Sequence, residues 1–150
     1  YKGYPKKISK QIKENRSGAF RMILDTSFII DLMKNKSNAL AKAQELEKSS
    51  SPVRSTAISV FELWQGLEDI QNPDKKEKIE HFLSSIGLLS FDLYSAKKAG
   101  TIYAELERKG ELIEPEDCMI AGITIFHGET LLTRNKQHFE RIKSLKIEGY

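Results

Sequence analysis

Short unbroken apolar runs alternate along this chain with longer stretches in which apolar residues recur every three or four positions. The first pattern marks buried strands and the second amphipathic helices. Residues 21–25 predict a first strand, 27–34 a helix, 35–37 a break, and 38–48 a second helix with Leu40, Ala43 and Leu46 on one face. After the Ser-Ser-Ser-Pro loop at 49–52, residues 53–55 make a short strand. Thr56 or Ser59 then caps a helix that runs to about Ile70. Pro73 and Asp74 open a helix over 74–85, with Ile79, Phe82 and Leu83 facing inward and Gly87 as its stop. Residues 88–91 read as a strand, and Asp92 caps a long helix over 93–108 with inner stripe Ala96, Ala99, Ile102, Tyr103 and Leu106. Pro115 suits the first turn of a helix over 116–127. The chain closes with a strand over 130–133, a short helix over 136–142 and a strand over 145–148.

Strands separated by helices imply a mostly parallel sheet covered on both faces. The expected fold class is therefore α/β, a three-layer α/β/α sandwich around five short strands. Residues 22–150 are expected to form one domain, with 1–21 a basic arm of low order.

Charge changes the picture in one respect. The chain of 150 residues carries a formal +3. Residues 1–21 hold seven bases (Lys2, Lys6, Lys7, Lys10, Lys13, Arg16 and Arg21) and one acid, Glu14. That is +6 on the arm, leaving −3 on the remainder, so the basic character belongs to the arm and not to the domain. Such an arm can hold nucleic acid through phosphates or stay a solvated tail. No apolar run approaches the roughly 18 residues of a membrane span. The single cysteine, Cys118, excludes an internal disulfide, is consistent with a reducing cytosol, and sits in an apolar helical run that suits an inert buried thiol.

Candidate chemistry lies where polar residues end strands or open the helices after them, because ligands in open α/β sheets bind outside the carboxyl ends of the strands. Asp25 follows the first strand in Leu24-Asp25-Thr26-Ser27, where a helix cap is an alternative role. Glu62 lies one turn into the helix after the second strand. Periodicity turns it away from the Val60, Leu63, Trp64 and Leu67 stripe, toward solvent. Asp117 opens a helix that is apolar all round, and a carboxylate starting a buried helix needs a partner. Three such acids are hard oxygen ligands suited to Mg²⁺ or Mn²⁺. His81, His127 and His138 read as surface or helix-end residues, and no zinc spacing or glycine-rich phosphate loop occurs.

In this order the motifs resemble the PIN-domain family, in particular the VapC-type toxins of toxin–antitoxin pairs. The matching pieces are Leu24-Asp25-Thr26-Ser27, Ser59-Val60-Phe61-Glu62-Leu63, Asp117-Cys118-Met119-Ile120-Ala121-Gly122 and Leu132-Thr133-Arg134-Asn135 leading to His138-Phe139-Glu140-Arg141-Ile142. The resemblance implies sheet order 3-2-1-4-5 and a metal-dependent ribonuclease. It implies that Asp25, Glu62 and Asp117 bind Mg²⁺ or Mn²⁺, with Ser27 and Thr133 orienting them. Members often carry a fourth acid near the end of strand four. Asn135 stands there, offering a carbonyl oxygen to a metal-bound water and leaving the number of metals open. Arg134 and Lys136 are expected RNA contacts. A homodimer and a small antitoxin protein are the implied partners, RNA the implied substrate. Three alternatives stay open: a non-catalytic RNA-binding module on the same fold, an RNA-processing nuclease without an antitoxin, and a phosphotransfer domain with aspartates at strand ends. The last is disfavoured by Ser27, which stands where a dehalogenase would carry a second acid.

Overall fold

In the computed structural model, which describes residues 21–150, the first strand is β1 (Met22–Leu24), and the chain alternates from there between strands and helices. There follow α1 (Thr26–Met33), α2 (Ser37–Lys48), β2 (Val53–Thr56), α3 (Ala57–Ile70), α4 (Pro73–Ser85), β3 (Gly87–Leu89), α5 (Leu93–Lys109), α6 (Pro115–Phe126), β4 (Thr130–Leu132), α7 (Lys136–Phe139) and β5 (Lys146–Glu148). The five strands form one sheet in the order β3-β2-β1-β4-β5, with every pairing parallel. This is the α/β sandwich and strand order expected. The expected basic arm lies outside the described residues, apart from Arg21.

β1 sits at the centre, and its alternation divides the core. Met22 and Leu24 join Phe28, Leu32, Leu63 and Leu67 on one face, while Ile23 joins Ile102, Ile120, Ile123 and Leu131 on the other. A central parallel strand buried on both faces has to be apolar throughout, which is why Met-Ile-Leu gives no period-two signal. Ser55 Oγ donates to the Leu24 carbonyl at 2.9 Å, tying β2 to the end of β1.

Several boundaries differ from the sequence reading. Gly87 belongs to β3 and does not close α4, whose C-cap is Ile86, and β3 ends at Leu89 because the chain turns early to the Asp92 cap. The last short helix covers only Lys136–Phe139, and its continuation at Ile142 is a buried turn residue packed with Phe139 and Leu145. Thr133 lies past the end of β4, where its hydroxyl is free to serve the site. Thr56 is the α3 cap, accepting from the Ser59 amide at 3.0 Å, and Asp92 caps α5 through the Ser95 amide at 2.9 Å. Gly122 lets α5 approach α6 closely, since a Cβ there would stand 2.6 Å from the Ser95 carbonyl oxygen. That contact fixes α6, and with it Asp117.

Candidate active site

The chain leaves β1 at Asp25, whose amide donates to the Leu132 carbonyl at 2.9 Å, so the residue stands on the sheet's carboxyl edge. Asp25 occupies the N-cap position of α1, with φ −68° and ψ 156°, but its side chain makes no capping bond. The carbonyl does that work, accepting from the Phe28 and Ile29 amides. The freed carboxylate, only 3% exposed, instead receives two hydroxyls on one oxygen: Ser27 Oγ and Thr133 Oγ1 each donate to Oδ2 at 2.7 Å. Those hydroxyls are held in turn by backbone: the Arg134 amide donates to Ser27 Oγ at 3.2 Å and the Asn135 amide to Thr133 Oγ1 at 3.0 Å. Among the described residues no donor reaches Oδ1 and no cation pairs with Asp25.

Glu62 does not face open water as periodicity suggested. It is half-buried, and Thr26 Oγ1 donates to its Oε1 at 2.8 Å, because α3 packs against α1 and turns that side of the helix toward the start of α1. Burial pushes the Glu62 carboxyl up to about 7; the Thr26 bond pulls it down, and the charges of Asp25, Asp117 and Glu116 push it further up. Asp117, in the first turn of α6, is raised to about 6 by burial and then by the charge of Asp25, against the pull of His138. His138 Nδ1 lies 3.6 Å from Asp117 Oδ2. Each of the three carboxylates therefore feels the charge of another, Asp25 raising both Glu62 and Asp117, and Glu116 and Glu114 add to the negative field.

Ser27 and Thr133 thus both hydrogen-bond to Asp25, while Glu62 and Asp117 are linked to it by charge and not by a hydrogen bond. The Asn135 side chain is exposed and makes no hydrogen bond among the described residues; its amide serves the site instead. Lys136 is exposed at the first position of α7. Arg134 turns one guanidinium nitrogen inward, Nη1 donating to Asp31 Oδ1 at 2.5 Å. The sequence reading missed Asp31 and its second donor, the Tyr150 hydroxyl at 2.8 Å, because both partners lie over a hundred residues away along the chain. Cys118 is 2% exposed and burial pushes its thiol up to about 11, which fits the inert role expected.

Among the described residues no three His, Cys, Asp or Glu side chains converge tightly enough to cage an ion unaided. The donor set nevertheless fits Mg²⁺ or Mn²⁺, because small hard cations keep several waters and need only one or two carboxylates. Oδ1 of Asp25 is the oxygen left for one. Beside Glu62 an apolar groove runs between α1, α3 and α4, lined by Ile30, Leu63, Leu67, Ile70 and Ile79.

The chain matches the PIN domain family over residues 22–145. The tRNA(fMet)-specific endonuclease VapC of Shigella flexneri is 34% identical over 131 residues, covering 87% of this chain and 98% of that protein. Ribonuclease VapC2 of Haemophilus influenzae is 30% identical over the same shares. Among solved structures, the DNA-bound VapBC of Salmonella typhimurium shares 34% identity at a TM-score of 0.77, covering 87% of this chain and 98% of that one. The chain belongs to the PIN-domain family, and these relatives carry the name VapC. Among the described residues no helix is long and apolar enough to cross a membrane.

Proposed function

We propose that this protein is a metal-dependent endoribonuclease of VapC type and the toxin of a toxin–antitoxin pair. The observation that carries the reading is Asp25: a buried carboxylate whose charge bears on two further acids, clamped by hydroxyls on one oxygen and matched by no cation among the described residues. The VapC relatives named as ribonucleases supply the reaction class. Bound Mg²⁺ or Mn²⁺ supplies an acidified water and positive charge at the scissile phosphate. The protein's share is to hold the acids. Ser27 and Thr133 fix Asp25 Oδ2 and leave Oδ1 for the cation, and Thr26 holds Glu62. In-line attack on an RNA phosphodiester then leaves a 5′ phosphate and a 3′ hydroxyl. Lys136 and the basic arm supply contacts to the RNA backbone, while the Arg134 guanidinium is held on Asp31.

A small antitoxin protein is the expected partner, supported by the VapBC assemblies to which the fold is similar and by the apolar groove beside Glu62, which suits an amphipathic segment. Self-association as a homodimer is expected too, and light scattering of the purified chain checks it. The function is tested with Asp25→Asn on a fluorogenic RNA in Mn²⁺. The variant should fold and lose cleavage to background; retained cleavage overturns the assignment.

A further inference from the structure

Asp31 is 3% exposed, yet it lies outside the cluster of acids. It sits on α1 one turn beyond Ser27 and accepts from two distant parts of the chain. Arg134 Nη1, from the turn after β4, reaches Oδ1 at 2.5 Å, and the Tyr150 hydroxyl, from beyond β5, reaches Oδ2 at 2.8 Å. The Tyr150 ring also meets Phe28 of α1 edge-on, with centroids 4.9 Å apart. Three segments are thereby locked at one point. Arg134 matters twice: its side chain is bound to Asp31, and its amide donates to Ser27 Oγ, which donates to Asp25. The residues on either side continue the link, since Thr133 Oγ1 donates to Asp25 and the Asn135 amide to Thr133 Oγ1.

We propose that the Asp31–Arg134–Tyr150 lock positions the turn after β4, so that its amides hold the Ser27 and Thr133 hydroxyls on Asp25 Oδ2 and leave Oδ1 for a divalent cation. Asp31 and Tyr150 are positioning residues, and Arg134 acts first through Asp31, not on RNA. The physical reason is that a buried carboxylate with a guanidinium partner admits few geometries, and supports behind a metal ligand govern how well that ligand is aimed. This inference rests on the ribonuclease reading for its cation.

The test measures Mn²⁺ binding by calorimetry and metal-free RNA binding by anisotropy, on the full chain carrying Asp31→Asn, Arg134→Gln, or both. Each single change should weaken Mn²⁺ binding by about 10–100-fold, the usual range for losing a support behind a ligand. The double variant should bind Mn²⁺ no worse than the weaker single one, since both changes break one link. Its thermal midpoint should recover toward that of the unchanged protein, because no lone charge remains buried, while its Mn²⁺ affinity stays low. That divergence separates aiming from mere stability. Should a single variant fail to fold, Tyr150→Phe carries the same Mn²⁺ comparison with a milder change. Unchanged Mn²⁺ affinity in Asp31→Asn overturns the proposal. So does Arg134→Gln losing RNA affinity while keeping Mn²⁺ affinity, which would make Arg134 a phosphate contact. If the unchanged protein itself binds no Mn²⁺, the ribonuclease reading falls, and this inference with it.

Discussion

Asp25 and Asp31 lie six residues apart on one segment, and each is 3% exposed, yet they are stabilised in different ways. Asp31 has a guanidinium and a phenol hydroxyl, so its charge is matched inside the protein. Among the described residues Asp25 has two neutral hydroxyls, both on Oδ2, and its charge bears on Glu62 and Asp117. A buried charge is tolerated when it is paired and hydrogen-bonded. By that rule Asp31 is complete and Asp25 is not. The difference teaches which acid serves the fold and which waits for a cation from outside. Lys42 repeats the Asp31 solution elsewhere, buried between Glu45 and Glu148 where α2 meets β5.

The largest expected effect comes from breaking the matched member. Arg134→Ala leaves Asp31 buried with only the neutral Tyr150 hydroxyl as its partner among the described residues, and should cost about 2 kcal/mol in chemical unfolding. That is less than the roughly 3–5 kcal/mol of a fully buried pair because the guanidinium is half exposed. By contrast, Asp25→Asn should leave the unfolding midpoint of the metal-free protein unchanged or higher, since it removes a carboxylate that no cation among the described residues pairs. A loss in Asp25→Asn as large as that in Arg134→Ala would erase the distinction.

Much of this contrast was legible in the sequence, and the rest was not for identifiable reasons. An apolar strand ending in Asp-Thr-Ser told where Asp25 would stand, and the unbroken apolar face of α6 told that Asp117 would need a partner. Glu62 was misplaced by periodicity, which describes one helix and not its neighbour: Thr26 on α1 turns what looked like a solvent face into a half-buried one. Asp31 gave no local sign at all, because an aspartate inside Ile-Ile-Asp-Leu-Met looks like an error in an apolar helix until Arg134 and Tyr150 are folded onto it. The early ends of β3 and α7 follow from the Asp92 cap and from the turn that buries Ile142. Neither is written in an apolar period.

A middle-sized effect concerns pH. Glu62 at about 7 and Asp117 at about 6 lie above their ordinary values, so between about pH 4 and 7 these two groups hold more protons in the folded protein than in the unfolded chain. Its metal-free stability should therefore be greatest toward the acid side of that window and fall as pH rises through 6 and 7. Divalent ions need the deprotonated acids, so their stabilising effect should grow over the same interval. Melting curves with EDTA and with Mn²⁺ at pH 5.0 and 8.0 check this: the gap between them should widen at pH 8.0. A constant gap would mean the cation does not sit among these acids.

The smallest effect is expected from Tyr150→Phe, which keeps the ring against Phe28 and removes one hydrogen bond to a charged group. A loss of about 1.5 kcal/mol in unfolding free energy is expected, at the low end for such bonds because Arg134 remains.

The most direct measurement of the central claim is a Mn²⁺ titration followed by electron paramagnetic resonance, on the unchanged chain and on Asp25→Asn. The unchanged chain should deplete the free Mn²⁺ signal with saturable binding, while Asp25→Asn, equally folded by circular dichroism, should leave that signal intact. Equal depletion by both proteins would contradict the assignment of Asp25 as the carboxylate that awaits a cation.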